Sequence, residues 1–360
     1  MGFFDFLKKG KTQQQNIHEH QEISIFPTDE ILPVENRILG QQPTCDGLYP
    51  HEVLILSYAP RFVANGNNSY AGFWWYKYGV KDVETYLKSL KEKGYLQIGT
   101  IKDALQFEKL PIIKAELKNR GCKVSGKKAE LIERLMEAAP ENELNQIFAK
   151  RPYQLTKLGE EILRKYEWIP YIHSHNLEDL DIWNLTNLVQ KPPYYLKYQD
   201  KIWAYLDERS RLHYRDNNFG LYRNCRLSMS NFAKKEGNKE VAFFLLCEVI
   251  FYDLSGLENG FSKEFLDIYS ESFFPYENSL VKIPPGITEM IREYMSEFGW
   301  TKQELQKNLL YNFEQIPLNF KLFTNEECVN IVIAEIEKDE NRLKDIYRQA
   351  EIRFKKYYKK

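Results

Sequence analysis

No apolar run in this 360-residue chain approaches the length needed to cross a bilayer, so no membrane association by a spanning helix is expected. Its five cysteines, Cys45, Cys122, Cys225, Cys247 and Cys328, are scattered and odd in number. That pattern excludes a disulfide framework and a CxxC metal knuckle, and points to a reducing cytoplasm. There is no GxSxG elbow, no GxxxxGK[ST] phosphate loop, no HExxH and no GxGxxG following a strand. No cofactor and no catalytic residue is therefore expected. An excess of one charge is also missing, since 50 basic residues stand against 51 acidic ones for a net charge of -1.

What is present should fold. Apolar residues make up 43% and charged residues 28%, and the length suits two or three domains. Large rings are abundant, with 24 tyrosines, 22 phenylalanines and six tryptophans. Such rings fill helical cores while tyrosine hydroxyls reach the edges.

One stretch concentrates charge against a legible fold pattern. In LPIIKAELKNRGCKVSGKKAELIERL, residues 110–135, the spacing of Leu110, Ile113 and Leu117 predicts a first helix. Pro111 suits its first turn, and Gly121 its left-handed cap. Val124 is expected to plug the gap before a second helix carrying Leu131, Ile132 and Leu135. The product is a helical hairpin with a core of few side chains. Between Lys109 and Leu135 there are eight bases and three acids, a local charge of +5. The bases crowd the inter-helix turn, where unpaired amides at the start of a helix add to an anion site. A duplex backbone is the polymeric anion that suits a rigid, multivalent site of this kind. RNA suits it less, because the segment lacks a row of exposed stacking aromatics.

These residues resemble the SAP domain, a helix-turn-helix-like hairpin of chromatin, repair and some phage or bacterial proteins. The resemblance rests on Leu110, Ile113, Lys114, Leu117, Lys118, Gly121, Val124, Ser125, Gly126, Lys128, Leu131, Ile132, Arg134 and Leu135, with Cys122 departing from the usual leucine. It implies that Lys123, Ser125, Gly126, Lys127 and Lys128 approach DNA. Lys114, Lys118, Arg120 and Arg134 complete the candidate nucleic-acid-binding set on charge.

The rest of the chain is organised around that hairpin. Residues 1–48 read as a flexible or extended arm beginning MGFFDFLKKGK, a stretch too short to hold a membrane alone. A helix is expected from His51 to Ala59, then an aromatic cluster of Phe73, Trp74, Trp75, Tyr76 and Tyr78. Val83, Tyr86, Leu87 and Leu90 mark another helix, and Tyr95 to Ile98 a strand. After the hairpin, Tyr153, Leu155, Thr156, Gly159 and Leu163 resemble the wing-to-helix passage of bacterial winged-helix proteins. Thr156 is expected to cap a helix whose inner face carries Leu158, Ile162 and Leu163. Residues 49–99 plus 152–170 would then form a split winged-helix-like module, with the SAP unit at 100–140 inserted at the wing tip. Wing tips are surface turns with adjacent ends, so an insertion there disturbs little. The aromatic GFWWYKYGV and WIPYIH segments flanking the hairpin resemble those of uncharacterised proteins from low-GC Gram-positive bacteria and their phages.

Residues 171–198 read as a connector and 199–360 as an irregular α-helical domain, making the fold mainly α. In the connector, His173 and His175 would share one face of an extended stretch, with Asp179 and Asp181 nearby. That is a weak pattern for a metal. Distally, Val241 to Tyr252 is the expected buried helix, and Ala233, Gly237 and Ala242 sit where a helix pair would cross. Further helices are expected at 287–298, 302–311 and 325–358, after a loop at 278–286. Thr301 with Glu304 and Thr324 with Glu327 have capping-box spacing. The terminal NRLKDIYRQAEIRFKKYYKK bears eight bases and two acids, with Leu343, Ile346, Tyr347 and Phe354 as an apolar stripe.

The expectation is a non-enzymatic DNA-binding adaptor or scaffold that contacts double-stranded DNA through the hairpin and a protein partner, or itself, through the helical half. Two alternatives stand beside it. One is a metal-dependent nuclease or DNA-processing enzyme that uses the hairpin for targeting, with Asp179, Asp181, Glu248 and Asp253 as imaginable carboxylates. The other is a phage or host structural assembly protein.

Overall fold

The computed structural model describes residues 33–175, 177–257, 283–318 and 320–358. The chain is mainly α, with a small winged-helix-like α/β module, an inserted helical unit and a helical bundle. The expectations for the arm over residues 1–32 and for the loop over 278–282 fall outside the described residues. Among the described residues no helix is long and apolar enough to cross a membrane.

The chain divides into two compact units. The described part of the smaller one comprises residues 33–40 and 70–81, including a single-turn piece of 3-10 helix at Val34–Asn36. Helix α2 (Phe73–Tyr76) is one turn of the aromatic cluster, and the Arg37 guanidinium donates to the Tyr76 carbonyl. Gly79 has φ +71°, and a Cβ there would lie 2.6 Å from the Val34 carbonyl oxygen. Only glycine fits both demands.

The larger unit begins with helix α1 (Pro50–Tyr58), whose residues 50–56 are all buried. Glu52, buried with it, accepts from the Tyr49 amide at 2.8 Å and from Lys93 at 3.0 Å. Helix α3 (Val83–Glu92) turns Val83, Leu87 and Leu90 inward, and Asp82 caps it by accepting from the Thr85 amide. Strand β1 (Leu96–Ile98) follows.

Its partner comes from the far side of the insertion. Strand β2 (Tyr153–Leu155) pairs antiparallel with β1, Leu96 opposite Leu155 and Ile98 opposite Tyr153. A further bridge joins Val63 to Pro152, and the Tyr153 amide donates to the Phe62 carbonyl at 2.9 Å. The chain leaves the wing at Gly99 and returns at Pro152, where the Gly99 amide donates to the Pro152 carbonyl at 2.8 Å. The excursion between them thus starts and ends at one point.

Helix α8 (Lys157–Lys165) then packs onto the wing. Thr156 accepts from the Gly159 amide and donates to the Gly94 carbonyl, tying the cap to the end of the α3 segment. Leu158, expected inside, is 45% exposed; the buried positions are Gly159, Ile162 and Tyr166. The reason is a close approach of backbones. A Cβ on Gly159 would lie 2.3 Å from the Tyr95 carbonyl oxygen, so the helix lies with that position against the strand and turns Leu158 out.

The connector is packed rather than extended. Helix α9 (Trp168–Ser174) contains His173, and helix α10 (Ile182–Val189) buries Ile182, Trp183, Leu185 and Thr186. Leu177 and Leu180 between them are also buried. Helices α11 (Tyr198–Arg215), α12 (Phe219–Lys235) and α13 (Lys239–Ser255) open the bundle. α12 and α13 run antiparallel, joined by bidentate Arg223–Asp253, by Arg226–Glu248 at 2.7 Å and by Ser230 donating to the Ala242 carbonyl. Gly237, φ +82°, makes their turn, and α13 is the strongly buried helix expected there.

Helices α14 (Pro285–Phe298) and α15 (Lys302–Gln315) follow, the latter capped by Thr301 and Glu304. The expected single terminal helix is two. α16 (Asn325–Glu337) stops at Lys338, which has φ +58°, and α17 (Glu340–Tyr358) starts afresh. Leu343, Tyr347 and Phe354 of α17 are buried, and Arg353 pairs with Glu327. The basic tail therefore docks as an amphipathic helix over its described length.

The Gly159 contact gives a direct test. Gly159→Ala should lower stability by about 2 kcal/mol or more, because the obstacle is backbone and cannot swing aside. Gly286→Ala, where nothing lies within 4 Å, should be neutral or slightly stabilising in the same thermal melts. Equal Tm values for the two variants would contradict the close-packed wing.

Candidate nucleic-acid interface

The inserted unit has its own core. Helix α4 (Ile101–Phe107) contributes Ile101, Ala104 and Leu105; α5 (Leu110–Asn119) contributes Ile113 and Leu117; α6 (Lys128–Ala138) contributes Leu131, Ile132 and Leu135. Ala139, and Leu144 and Phe148 with helix α7 (Glu141–Ile147), close it. Two helices thus complete what the hairpin alone could not bury. Their signals were in the sequence: Thr100 and Asp103 form a capping box, and Leu144 and Phe148 lie one turn apart.

Val124 does not plug this core, being 38% exposed. Cys122 packs partly against it instead. The cause is the cap of α5. Gly121, φ +67°, donates to the Lys118 carbonyl, and the Cys122 amide donates to the Leu117 carbonyl, both at 2.9 Å. This paired closure folds residue 122 back onto the helix end and throws 123–127 outward.

The outward loop is held. Arg134 donates to the Lys123 carbonyl at 2.6 Å and to the Ser125 carbonyl at 3.2 Å. Gly126 has φ +130°, and a Cβ there would sit 2.5 Å from a Glu130 carboxylate oxygen. Glu130 in turn accepts from the Lys127 amide at 3.2 Å, fixing the start of α6. Gly126 and Arg134 therefore shape the loop.

Charge divides by helical face. On α5, Lys114 and Lys118 lie on one flank; Glu116 and Arg120 lie on the other. Arg120 bridges Glu116 and Glu143 with its side chain 15% exposed, so it fastens α5 to α7 and its charge is balanced. Lys128 lies on the inward side of α6 and donates to the Gln106 and Glu108 carbonyls at the end of α4. Lys118, Lys123, Ser125 and Lys127 are exposed and Lys114 half-buried. Among the described residues no ion pair engages Lys114, Lys118, Lys123 or Lys127. The amides of Lys128 and Ala129 open a helix and have no intrahelical acceptor. Glu130 places one negative charge beside them, so attraction for an anion at this end falls chiefly to the surrounding lysines.

The metal candidates separate. His173 lies in a helix, not an extended stretch, and its Nε2 meets the Tyr58 hydroxyl at 2.9 Å. His175 stacks on Tyr171 and contacts Lys235. Asp179 takes the Tyr205 hydroxyl, while Asp181 caps α10 by accepting the Trp183 and Asn184 amides. Glu248 and Asp253 are bound to arginines, and burial pushes the Asp253 carboxyl up while Arg223 opposes the shift. Among the described residues no group of three or more histidine, cysteine or carboxylate side chains is placed to hold a metal ion.

A compact helical unit that turns a lysine-rich loop to solvent is the class this geometry defines. Residues 113–139 match the model of the SAP domain, so the chain carries a SAP domain. SAP domains are generally implicated in DNA and chromatin binding. No curated protein and no solved structure matches the chain.

The division of labour among the bases is measurable. Arg120→Ala should cost about 1 to 2 kcal/mol of stability, because it leaves the partly buried Glu116 carboxylate without its partner and unties α5 from α7. Lys123→Gln should leave the melting temperature unchanged within about 1 °C. The reverse pattern in calorimetry would overturn the roles assigned here.

Proposed function

We propose that this protein is a DNA-binding adaptor or scaffold that grips the duplex backbone at the α5–α6 turn, leaving its helical half for a protein partner or a second copy. The observation that carries this reading is the set of Lys114, Lys118, Lys123 and Lys127, outside every ion pair among the described residues and arranged around a loop of fixed shape. A loop already ordered loses little freedom when it meets phosphate, so charge converts to affinity efficiently. Lys123, Ser125, Lys127 and the first amides of α6 supply the contacts at the turn; Lys114 and Lys118 extend them along α5. Arg134 and Gly126 act by holding the turn, and Lys128 by fixing the start of α6 against α4.

Contacts of this kind are to phosphate, so they position the protein with little sequence reading. The combined Lys118→Gln, Lys123→Gln, Lys127→Gln variant should bind a short duplex at least about tenfold more weakly at low salt. The slope of log affinity against log salt should flatten by about 2 to 3, one step per lost phosphate contact. Affinity and slope equal to those of the unaltered protein would sink the proposal.

A further inference from the structure

The loop joining α10 to α11, residues 190–197, bears the two most exposed large apolar side chains among the described residues, Tyr194 at 74% and Tyr195 at 84%. Neighbouring rings left this bare in water contribute nothing to the fold. Yet the base of the loop is firmly built. Lys201, itself buried, donates to the carbonyls of Leu188 at 3.0 Å, Val189 at 2.9 Å and Lys191. Trp168 and Thr186, hydrogen-bonded at 3.1 Å, brace α10 against α9. Lys191 and Lys197 flank the two rings, both exposed and in no ion pair among the described residues. The nearest carboxylate in the chain, Asp200, accepts the Lys197 amide at 3.2 Å as a cap for α11.

We infer that residues 191–197 form a second nucleic-acid contact, for unpaired bases, with Tyr194 and Tyr195 stacking on base faces and Lys191 and Lys197 meeting the phosphates on either side. A duplex hides its base faces in its own stack, whereas a single strand offers them. Bare rings bracketed by cations match the alternation of base and phosphate along such a strand. A protein surface would be the competing occupant, since tyrosine is enriched at protein interfaces, but lysine is depleted there and the two uncompensated lysines beside the rings argue for a polyanion. The inference extends the duplex-binding reading without using the α5–α6 turn, so each can fail alone.

The test uses the full chain and three labelled probes: a blunt duplex, the same duplex with a single-stranded tail, and the tail strand alone. Fluorescence anisotropy should show the tailed duplex bound about tenfold more tightly than the blunt one. Tyr194→Ala with Tyr195→Ala should remove that gain and leave blunt-duplex affinity unchanged, while Tyr194→Phe with Tyr195→Phe should keep it, because the ring remains. The lysine variant of the α5–α6 turn should weaken blunt and tailed duplexes and spare the single strand. A tail without effect, or a gain that survives the alanine pair, would overturn the inference. So would loss of the gain in the phenylalanine pair, which would assign it to the hydroxyls. A fall in mass by light scattering in the alanine pair, with no tail effect, would assign the rings to a second copy and equally overturn it.

Discussion

The turn between α5 and α6 presents lysines because it is fixed on three sides by groups that carry no function of their own. The Gly121 closure ends α5 and folds Cys122 inward. Arg134 draws the Lys123 and Ser125 carbonyls toward α6, and Glu130 sits against Gly126 and takes the Lys127 amide. Lysine side chains are flexible, so without this frame their charge would be spread over many loop shapes. Where the lysines of the turn stand is thereby a property of backbone placement as much as of charge.

That frame stands on an independent core and a closed point of attachment. The four helices between residues 101 and 148 bury their own apolar cluster, and Gly99 meets Pro152 at the wing they leave and re-enter. The bases thus fall into two groups. Arg120, Lys128 and Arg134 hold helices and carbonyls together, while Lys114, Lys118, Lys123 and Lys127 take part in no ion pair among the described residues. A net charge of +5 over the hairpin overstated the charge on offer, because charge counting does not see which bases are committed to carboxylates or helix ends.

Local rules predicted what local physics controls. Caps at Thr156, Thr301 and Thr324 and the left-handed glycine at 121 all followed from short-range patterns, and the strands carrying Leu96 and Leu155 were each legible locally although the insertion separates them. Failures occurred where packing or cap geometry overrides composition. Leu158 faces out because Gly159 meets Tyr95; Val124 is displaced by the closure at Gly121; the terminal helix breaks at Lys338 although its composition suits a continuous one. The sequence around His173 and His175 reads as extended because a short apolar run before them conceals a seven-residue helix that ends at Ser174. The exposure of Tyr194 and Tyr195 is of the same class, since nothing in a tyrosine-rich sequence tells a core ring from a bare one.

Hydrogen exchange of the full chain, followed with and without a short blunt duplex, tests the central claim most directly. The account predicts that the duplex slows amide exchange across residues 121–129 and leaves α13 and α16 unchanged. Slowing confined to the helical half, with residues 121–129 exchanging as before, would contradict it.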